Sequence, residues 1–243
     1  MVLAPVSATR STAPTSRNVD VRLGQIHLVY TATSPLTLPH GSDLRVLLAL
    51  MTHAADDGQV QVGLPTLLRT ADMGMGRRQH VALFGALDRL REVRYTVQRA
   101  PQILGLPSQF KLVTWAGLAP DGQLQIEFSP EVASQIRGCH SHPAPGNTSD
   151  IPGNALALYS VLEALETLPE GMDRGQWHLP VDATYELLAL PGRDDKARRS
   201  LMSMGAALQT AGYSANMQVI GRGNNTQLVI DNRGLDPTAM ALP

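Results

Sequence analysis

One apolar stripe near the C-terminus constrains the fold of this chain more than any other feature of the sequence. Its members recur at i, i+4, i+7, i+11 and i+14, a spacing that places them on one face of an α-helix: Ala197, Leu201, Met204, Leu208 and Ala211. Asp194 and Asp195 favour a helix start, because carboxylates accept hydrogen bonds from the unpaired N–H groups of a first turn. We therefore predict a long helix that ends near Gly212 and has one buried and one basic face.

The segments around this helix predict a complete supersecondary unit. In chain order they are a short strand, an apolar helix, a Pro–Gly break and, after the long helix, two strands: residues 177–179, 185–188, 191–192, 213–220 and 226–230. The two final strands are joined by a turn rich in Gly, Arg and Asn at residues 221–225. A helix, a break, a basic-faced helix and a hairpin in this order predict a winged helix, which is a helix-turn-helix followed by a β-hairpin wing.

The first half of the chain repeats this order of parts. After a strand at 25–31, a helix that begins at Ser42 or Asp43 is predicted from its apolar face, which comprises Leu44, Leu47, Leu48 and Met51. A strand at 59–62, a helix at 64–71, a Gly-containing break and a third helix that buries Leu83, Leu87 and Leu90 follow. The remaining segments predict strands at 95–98, 110–115 and 123–128 and a short helix at 130–136. The interval from a Leu–Leu pair to an Arg–Arg pair is also alike in the two halves, which indicates a repeated unit.

The predicted fold class is therefore α+β, with two tandem winged-helix domains. The chain divides into a flexible N-terminal tail, an N-terminal winged-helix domain, a Pro/Gly-rich linker, a C-terminal winged-helix domain and a C-terminal tail: residues 1–20, 21–137, 138–153, 154–231 and 232–243. The linker contains Cys139, His140 and His142. Three ligands within four positions do not converge easily on one tetrahedral ion, so we expect neither a metal site nor a cofactor.

Length and composition agree with two domains. The chain has 243 residues, and domains commonly have about 100–150. No apolar run approaches the roughly 20 residues that span a bilayer, so no membrane partner is expected. A single cysteine suits a reducing compartment, which predicts a cytoplasmic protein. The formal net charge of −1 is low for a nucleic-acid-binding protein, but positive residues gathered on particular helices decide the local field.

The basic faces of the two long helices point to double-stranded DNA. An α-helix fits the major groove, where Arg donates two hydrogen bonds to guanine, and helix-turn-helix proteins place the start of the second helix there. A Gly- and Arg-containing hairpin tip suits contacts with phosphates or the minor groove. The candidate DNA-binding residues are Lys196, Arg198, Arg199, Ser200, Ser203, Arg193, Arg222, Asn224, Asn225, Arg77, Arg78 and Gln79.

Enzymatic chemistry is the weaker class. The sequence has no phosphate-binding loop with a following Lys–Ser/Thr, and its seven histidines are scattered. Acid pairs such as Asp56–Asp57 are placed as turn residues and helix starts. We therefore predict a protein that is not an enzyme and has no catalytic residues.

The C-terminal half resembles iteron-type plasmid replication initiators of the Rep family. The resemblance rests on three stretches in the same order, a tyrosine-bearing helix, a strand with a Leu–Leu helix and a basic helix: residues 157–159, 177–190 and 196–201. It implies that the second winged helix reads origin repeats (iterons) through Lys196, Arg198 and Arg199. It further implies that the first contacts the DNA backbone and mediates dimerisation, with homodimers in equilibrium with monomers. Members of this family recruit host helicase or initiator proteins.

Two other functions remain open. A winged-helix transcriptional regulator, such as a copy-control repressor, would bind an inverted repeat over its promoter, whereas an initiator would bind direct repeats spaced at multiples of about 10.5 bp. A protein-interaction module would show binding to DNA that does not depend on salt, or no binding to DNA at all.

Overall fold

The computed structural model describes residues 15–23, 26–99, 107–139, 151–166, 172–173, 176–190, 195–211, 216–221 and 226–231. These residues form seven helices and eleven strands in an α+β arrangement, and every strand pairing is antiparallel. The elements are β1 (Ser16–Leu23), β2 (Ile26–Thr33), α1 (Asp43–His53), β3 (Gln59–Gly63), α2 (Leu64–Thr70), α3 (Arg77–Glu92), β4 (Arg94–Arg99), β5 (Gln109–Lys111), β6 (Val113–Leu118), β7 (Gln123–Phe128), α4 (Pro130–Cys139), α5 (Gly153–Glu166), β8 (Met172–Asp173), β9 (Gln176–Pro180), α6 (Val181–Leu188), α7 (Asp195–Thr210), β10 (Asn216–Ile220) and β11 (Gln227–Asp231). The α+β prediction is confirmed.

A four-stranded sheet of order β1-β2-β4-β5 begins the fold. The tail predicted to end at residue 20 is wrong at its boundary, because residues 16–20 belong to β1. Val19 and Val21 are buried and alternate with polar Asn18, Asp20 and Arg22, which is the pattern of a half-buried strand. The Ser- and Thr-rich composition before this segment had masked its alternation.

The first unit, comprising α1–α3 and the sheet β3-β7-β6, follows the predicted order. Val60 pairs with Ile126 and Val62 with Leu124, so one face of this sheet is apolar and buried. The third helix begins after Gly76 and buries Leu83 with the rest of its predicted stripe. The helix predicted after Ser42 is confirmed as α1, although the Ser42 side chain makes no capping hydrogen bond.

The second unit, comprising α5–α7 and β8–β11, repeats this order of helices and hairpin without the two strands, β4 and β5, that follow α3 in the first unit. Its sheet runs β10-β11-β9-β8, so the strand that precedes the helix pair lies beside the last strand of the hairpin, as in the first unit. The predicted stripe of α7 is confirmed, with Ala197, Leu201, Met204 and Leu208 buried and Ala211 half-buried. The predicted linker overlaps α4 at residues 138–139 and α5 at Gly153, and residues 140–150 lie outside the described part.

Contacts between the two units fix the position of one on the other. α1 packs on α5, and β1 packs on α6 and β9. The Nη2 group of Arg45 donates a hydrogen bond of 2.7 Å to the carbonyl of Ile151, just before α5. Buried apolar residues of both units form one continuous core. The helix pairs and hairpins of both units are therefore attached to one common core.

Candidate nucleic-acid interface

The helix α7 presents one continuous outward face. Opposite its buried stripe, Arg199, Ser203, Ala206 and Thr210 follow at i, i+4, i+7 and i+11, and all four are exposed. Lys196 and Met202 are exposed on the two sides of this line. No acidic residue follows Asp195 on α7. We call these six residues the α7 outward face. Its two charged members, Lys196 and Arg199, are both basic.

Arg199 lies near the start of this face. Its side chain is exposed, and its Nε group donates a hydrogen bond of 3.2 Å to the carbonyl of Asp195, one turn earlier. This contact directs the guanidinium along the helix surface toward the N-terminal turn. The first turns of the recognition helix reach base edges in helix-turn-helix proteins, and Arg199 lies at the start of the second turn of α7.

The other predicted DNA-binding residues of the second unit do not all lie on the α7 outward face. Lys196, Arg198 and Ser203 are exposed, and Ser200 is half-buried. Successive residues of a helix turn by about 100°, so Arg198 and Arg199 cannot share one direction. Arg198 therefore flanks the α7 outward face. Four predicted residues lie outside the described part of the chain: Arg193, Arg222, Asn224 and Asn225.

The first unit places its predicted residues at the start of α3. Arg77 and Arg78 are exposed, whereas Gln79 is half-buried. Gly74 and Gly76 lie against the Gln79 side chain, since a Cβ atom built on Gly76 would be 3.1 Å from Gln79 Oε1. Gln79 therefore packs against the loop before α3, and only the two arginines project toward solvent.

The helices α3 and α7 have the same length and the same buried positions, but their outward faces differ. Both have 16 residues, and aligning their first residues superposes Leu83 on Leu201 and Leu90 on Leu208, all buried. In this alignment the outward positions of Arg199, Ala206 and Thr210 correspond to Val81, Asp88 and Glu92. In this alignment the Arg77–Arg78 pair corresponds to residues 195–196. Its spacing from the Leu–Leu pair had suggested instead that it corresponds to the pair Arg198–Arg199.

Acidic residues weaken the case for DNA contact along most of α3. Asp88 is exposed, and Arg91 contacts both acids of this helix, at 3.5 Å from Asp88 and 3.0 Å from Glu92. Carboxylates on the outward face would repel phosphates. Exposed basic residues therefore occupy only the first turn of α3, whereas in α7 Lys196, Arg198 and Arg199 are followed by uncharged residues with no acid.

A buried ion pair positions α3 on the scaffold. Asp43, which is fully buried in α1, accepts two hydrogen bonds of 2.7 Å from Nε and Nη2 of Arg89. The backbone N–H of His40 donates a third to the same carboxylate at 2.9 Å. The hydrogen bond with Asp43 raises the pKa of Arg89, although burial acts in the opposite direction. The ion pair therefore joins α1 to α3.

A second buried polar group lies in the N-terminal sheet. Burial raises the pKa of the Tyr30 and Tyr95 hydroxyls well above the usual value, and it lowers the pKa of Arg17 on the neighbouring β1. The hydroxyl groups of Tyr30 and Tyr95 have no hydrogen-bond partner among the described residues. This part of the scaffold consequently holds its tyrosines in the neutral form.

Among the described residues, no group of three or more His, Cys, Asp or Glu side chains could hold a metal ion. The segment with His140 and His142 is outside the described part, as is the side chain of Cys139. None of the described helices has the length and apolar character needed to cross a bilayer.

Met202, Ala206 and Thr210 were not among the candidate residues, because the selection followed basic and polar residues near the helix start and at the hairpin tip. The signal was available, because the positions opposite a buried stripe of known spacing define the outward face. The structure adds that these three residues are exposed on the same side of α7 as Arg199.

Comparison with known proteins identifies the fold. No protein-family model matches the chain, and no curated protein matches its sequence. The fold is similar to that of domains 2 and 3 of RctB in two crystal structures. One, of selenomethionine derivatives, has a TM-score of 0.62 and the other a TM-score of 0.61, each at 12% identity. Both alignments cover 94% of this chain and 94% of the RctB chain, so the likeness extends over both units.

Proposed function

We propose that the chain is a sequence-specific double-stranded DNA-binding protein built from two tandem winged helices. Two observations support the winged-helix assignment. Each unit has a helix, a strand, a helix pair and a hairpin in this order, with β4 and β5 inserted before the hairpin of the first unit, and in each unit the strand that precedes the helix pair (β3 or β9) pairs with the last strand of the hairpin (β7 or β11). This connectivity leaves the third helix of each unit available on the surface, where a major groove could receive it.

The α7 outward face is the observation that carries the proposal. It combines a cation able to make two hydrogen bonds to guanine with hydroxyl and short apolar side chains, and no acid follows its first residue. A face of this composition can approach phosphates without repulsion and offers groups that distinguish bases. By contrast, α3 offers Arg77 and Arg78 at its start, which suit contacts with the DNA backbone.

Replication initiation is the biological role that we propose for this binding. The fold likeness to domains 2 and 3 of RctB supports it, together with the resemblance of the sequence to Rep initiators. In this role the protein binds plasmid origin repeats in the cytoplasm, exchanges between a homodimer and a monomer, and recruits a host helicase or initiator. It catalyses no reaction itself and needs no cofactor.

The test is a binding titration of the full chain against DNA from its own genetic neighbourhood, with random duplex as the reference. We expect tight binding to a segment of direct repeats and a linear fall of log affinity with log salt concentration, because bound phosphates release counterions. Binding to an inverted repeat over the promoter would instead favour a repressor. Equally weak binding to every duplex would refute sequence-specific recognition.

Arg199→Ala tests the proposed interface directly. A lost bidentate contact should weaken binding to the specific site by about 1–3 kcal/mol and leave binding to random duplex almost unchanged. Arg22→Ala, which removes an exposed arginine from β1, is the matched control and should change neither affinity. Equal losses on every sequence would assign Arg199 to a phosphate contact, and an unchanged affinity would remove α7 from the interface.

A further inference from the structure

Two members of the α7 outward face, Met202 and Ala206, are apolar, and contacts between basic residues and phosphates do not account for them. Met202 is 39% exposed, and Ala206 is exposed one turn further along. Both stand beside Arg199 on the side of the helix that faces away from the core. Met202 follows the last basic residue of α7, Arg199, by three positions, and its thioether has no donor to offer a phosphate, so its chemistry suits another group.

The major groove contains one apolar group, the C5 methyl of thymine. Contacts with this methyl are made by short or flexible apolar side chains, and Ala206 and Met202 are of these two types. The Thr210 hydroxyl donates a hydrogen bond of 2.9 Å to the carbonyl of Ala206, so the last polar group of the face is engaged with the helix backbone. The second half of the face is consequently more apolar than the first.

The spacing along the helix relates these residues to Arg199. Ala206 follows Arg199 by seven residues, which at 1.5 Å per residue is roughly 10.5 Å along the helix axis. Base pairs rise by about 3.4 Å, so this distance corresponds to roughly three base-pair steps for a helix aligned with the groove. Arg199 and Ala206 also lie in nearly the same direction around the helix, since seven residues make about two turns.

The first unit lacks this arrangement. The α3 residues that correspond to Met202 and Ala206 are Phe84 and Asp88. A carboxylate at the second position would meet the negative potential of the groove and would offer no apolar surface to a methyl group. The combination of a cation and two apolar side chains therefore belongs to the second unit, although the buried faces of both helices match.

We propose that α7 reads thymine methyl groups through Met202 and Ala206, which lie about one and about three base-pair steps, respectively, from a guanine that Arg199 contacts. This inference rests on the proposed DNA-binding function and specifies its target as a duplex in which thymines stand at one or both of these separations from a guanine. Met202 and Ala206 are then specificity-determining residues, which act through a methyl group and contribute little to binding of random sequence.

The experiment starts by enriching duplexes from a random library with the full-length protein. The best enriched duplex is then compared with the same duplex in which single thymines are replaced by deoxyuridine, which removes only the methyl group. We expect this replacement to weaken binding about fourfold at one or two positions, about one base pair (Met202) and about three base pairs (Ala206) from an enriched guanine. That factor corresponds to roughly 0.8 kcal/mol for one buried methylene-sized group.

Met202→Ala identifies the side chain responsible. In this variant the same deoxyuridine replacement should change affinity less than twofold at the position that Met202 covers. Met75→Ala is the matched control, because Met75 is 48% exposed in the first unit, before α3, and its removal should leave the fourfold effect intact. An equal loss for the original protein and Met202→Ala would overturn the assignment.

The outcomes separate this inference from the proposed function. Enrichment of one sequence with no effect of deoxyuridine at any position overturns methyl reading and leaves specific DNA binding in place. Failure to enrich any sequence overturns both. A methyl effect that disappears with Met202→Ala and persists with Met75→Ala supports both.

Discussion

Removal of the negative charge of Asp43 should destabilise the scaffold that carries α3. The carboxylate is fully buried and makes two hydrogen bonds of 2.7 Å with Arg89 and one of 2.9 Å with the backbone N–H of His40. Asp43→Asn keeps the size of the side chain but leaves the Arg89 guanidinium opposite a neutral amide. Because the Arg89 side chain is only 21% exposed, water cannot fully replace the lost charge.

The magnitude follows from these contacts. Breaking a buried ion pair by removing one partner costs about 3–5 kcal/mol, much of which is the penalty of the charge that remains. The amide can still accept one hydrogen bond, and Arg89 has some access to water, so the lower end of this range applies. We expect Asp43→Asn to lower the free energy of unfolding by about 3 kcal/mol.

Urea unfolding followed by tryptophan fluorescence measures this loss. Of the two tryptophans, Trp115 belongs to the first unit, so a Trp177→Phe background leaves one reporter for that unit. Asp88→Asn is the matched control, because Asp88 is 54% exposed and its pairing with Arg91 should contribute less than about 1 kcal/mol. A loss for Asp43→Asn no larger than that for Asp88→Asn would refute the view that the buried pair joins α1 to α3.

Three further predictions follow from buried groups and backbone geometry. Leu201→Ala should lower the free energy of unfolding by about 2–5 kcal/mol in urea titrations, because it opens a cavity in a fully buried stripe; a loss under 1 kcal/mol would place this residue outside the core. Gly58→Ala should destabilise the chain more than Gly122→Ala, since both have positive φ but only at Gly58 would a Cβ atom meet Ala133, at 2.5 Å; equal shifts in melting temperature would show that backbone strain alone decides. Burial raises the pKa of Tyr95, so the stability that its neutral form contributes is complete below pH 10 and is lost as the pH rises above that value. Urea midpoints between pH 8 and 11 should therefore fall less steeply for Tyr95→Phe than for the original protein. Parallel curves for the two proteins would contradict this.

Amphipathic helices and strands could be predicted from the sequence, because burial of a single face makes apolar residues recur with the period of the helix or strand. The stripe of α7 gave both its extent and its orientation, and the strand pair β10 and β11 followed from its alternation. The helix α5 was different, because nothing in its periodicity identified it. Leu156, Ala157, Leu158 and Tyr159 are consecutive and all buried, and a continuous buried run contains no polar positions that could set a period.

Long-range contacts left no signal in the sequence. Asp43 and Arg89 are 46 positions apart, and each by itself fits a solvated helix end. The contact of Arg45 with the carbonyl of Ile151 spans 106 positions and joins the two units where a linker had been expected. Such pairs depend on the relative placement of elements, which periodicity does not determine. The candidate site was therefore predictable as a list of exposed basic residues but not as a surface.

In α3 and α7 the buried positions are set by the requirements of folding, whereas the outward positions are not. Leu83 and Leu201 occupy the same buried position because both units need an apolar face of the same spacing against the same kind of sheet. No such requirement acts on the outward positions, where Asp88 corresponds to Ala206. The likeness of the buried faces therefore supports a repeated fold and carries no information about DNA. Base reading must be assigned from the outward residues alone, and these favour α7, because Arg199 and its apolar neighbours share a face that contains no acid beyond the first residue of the helix.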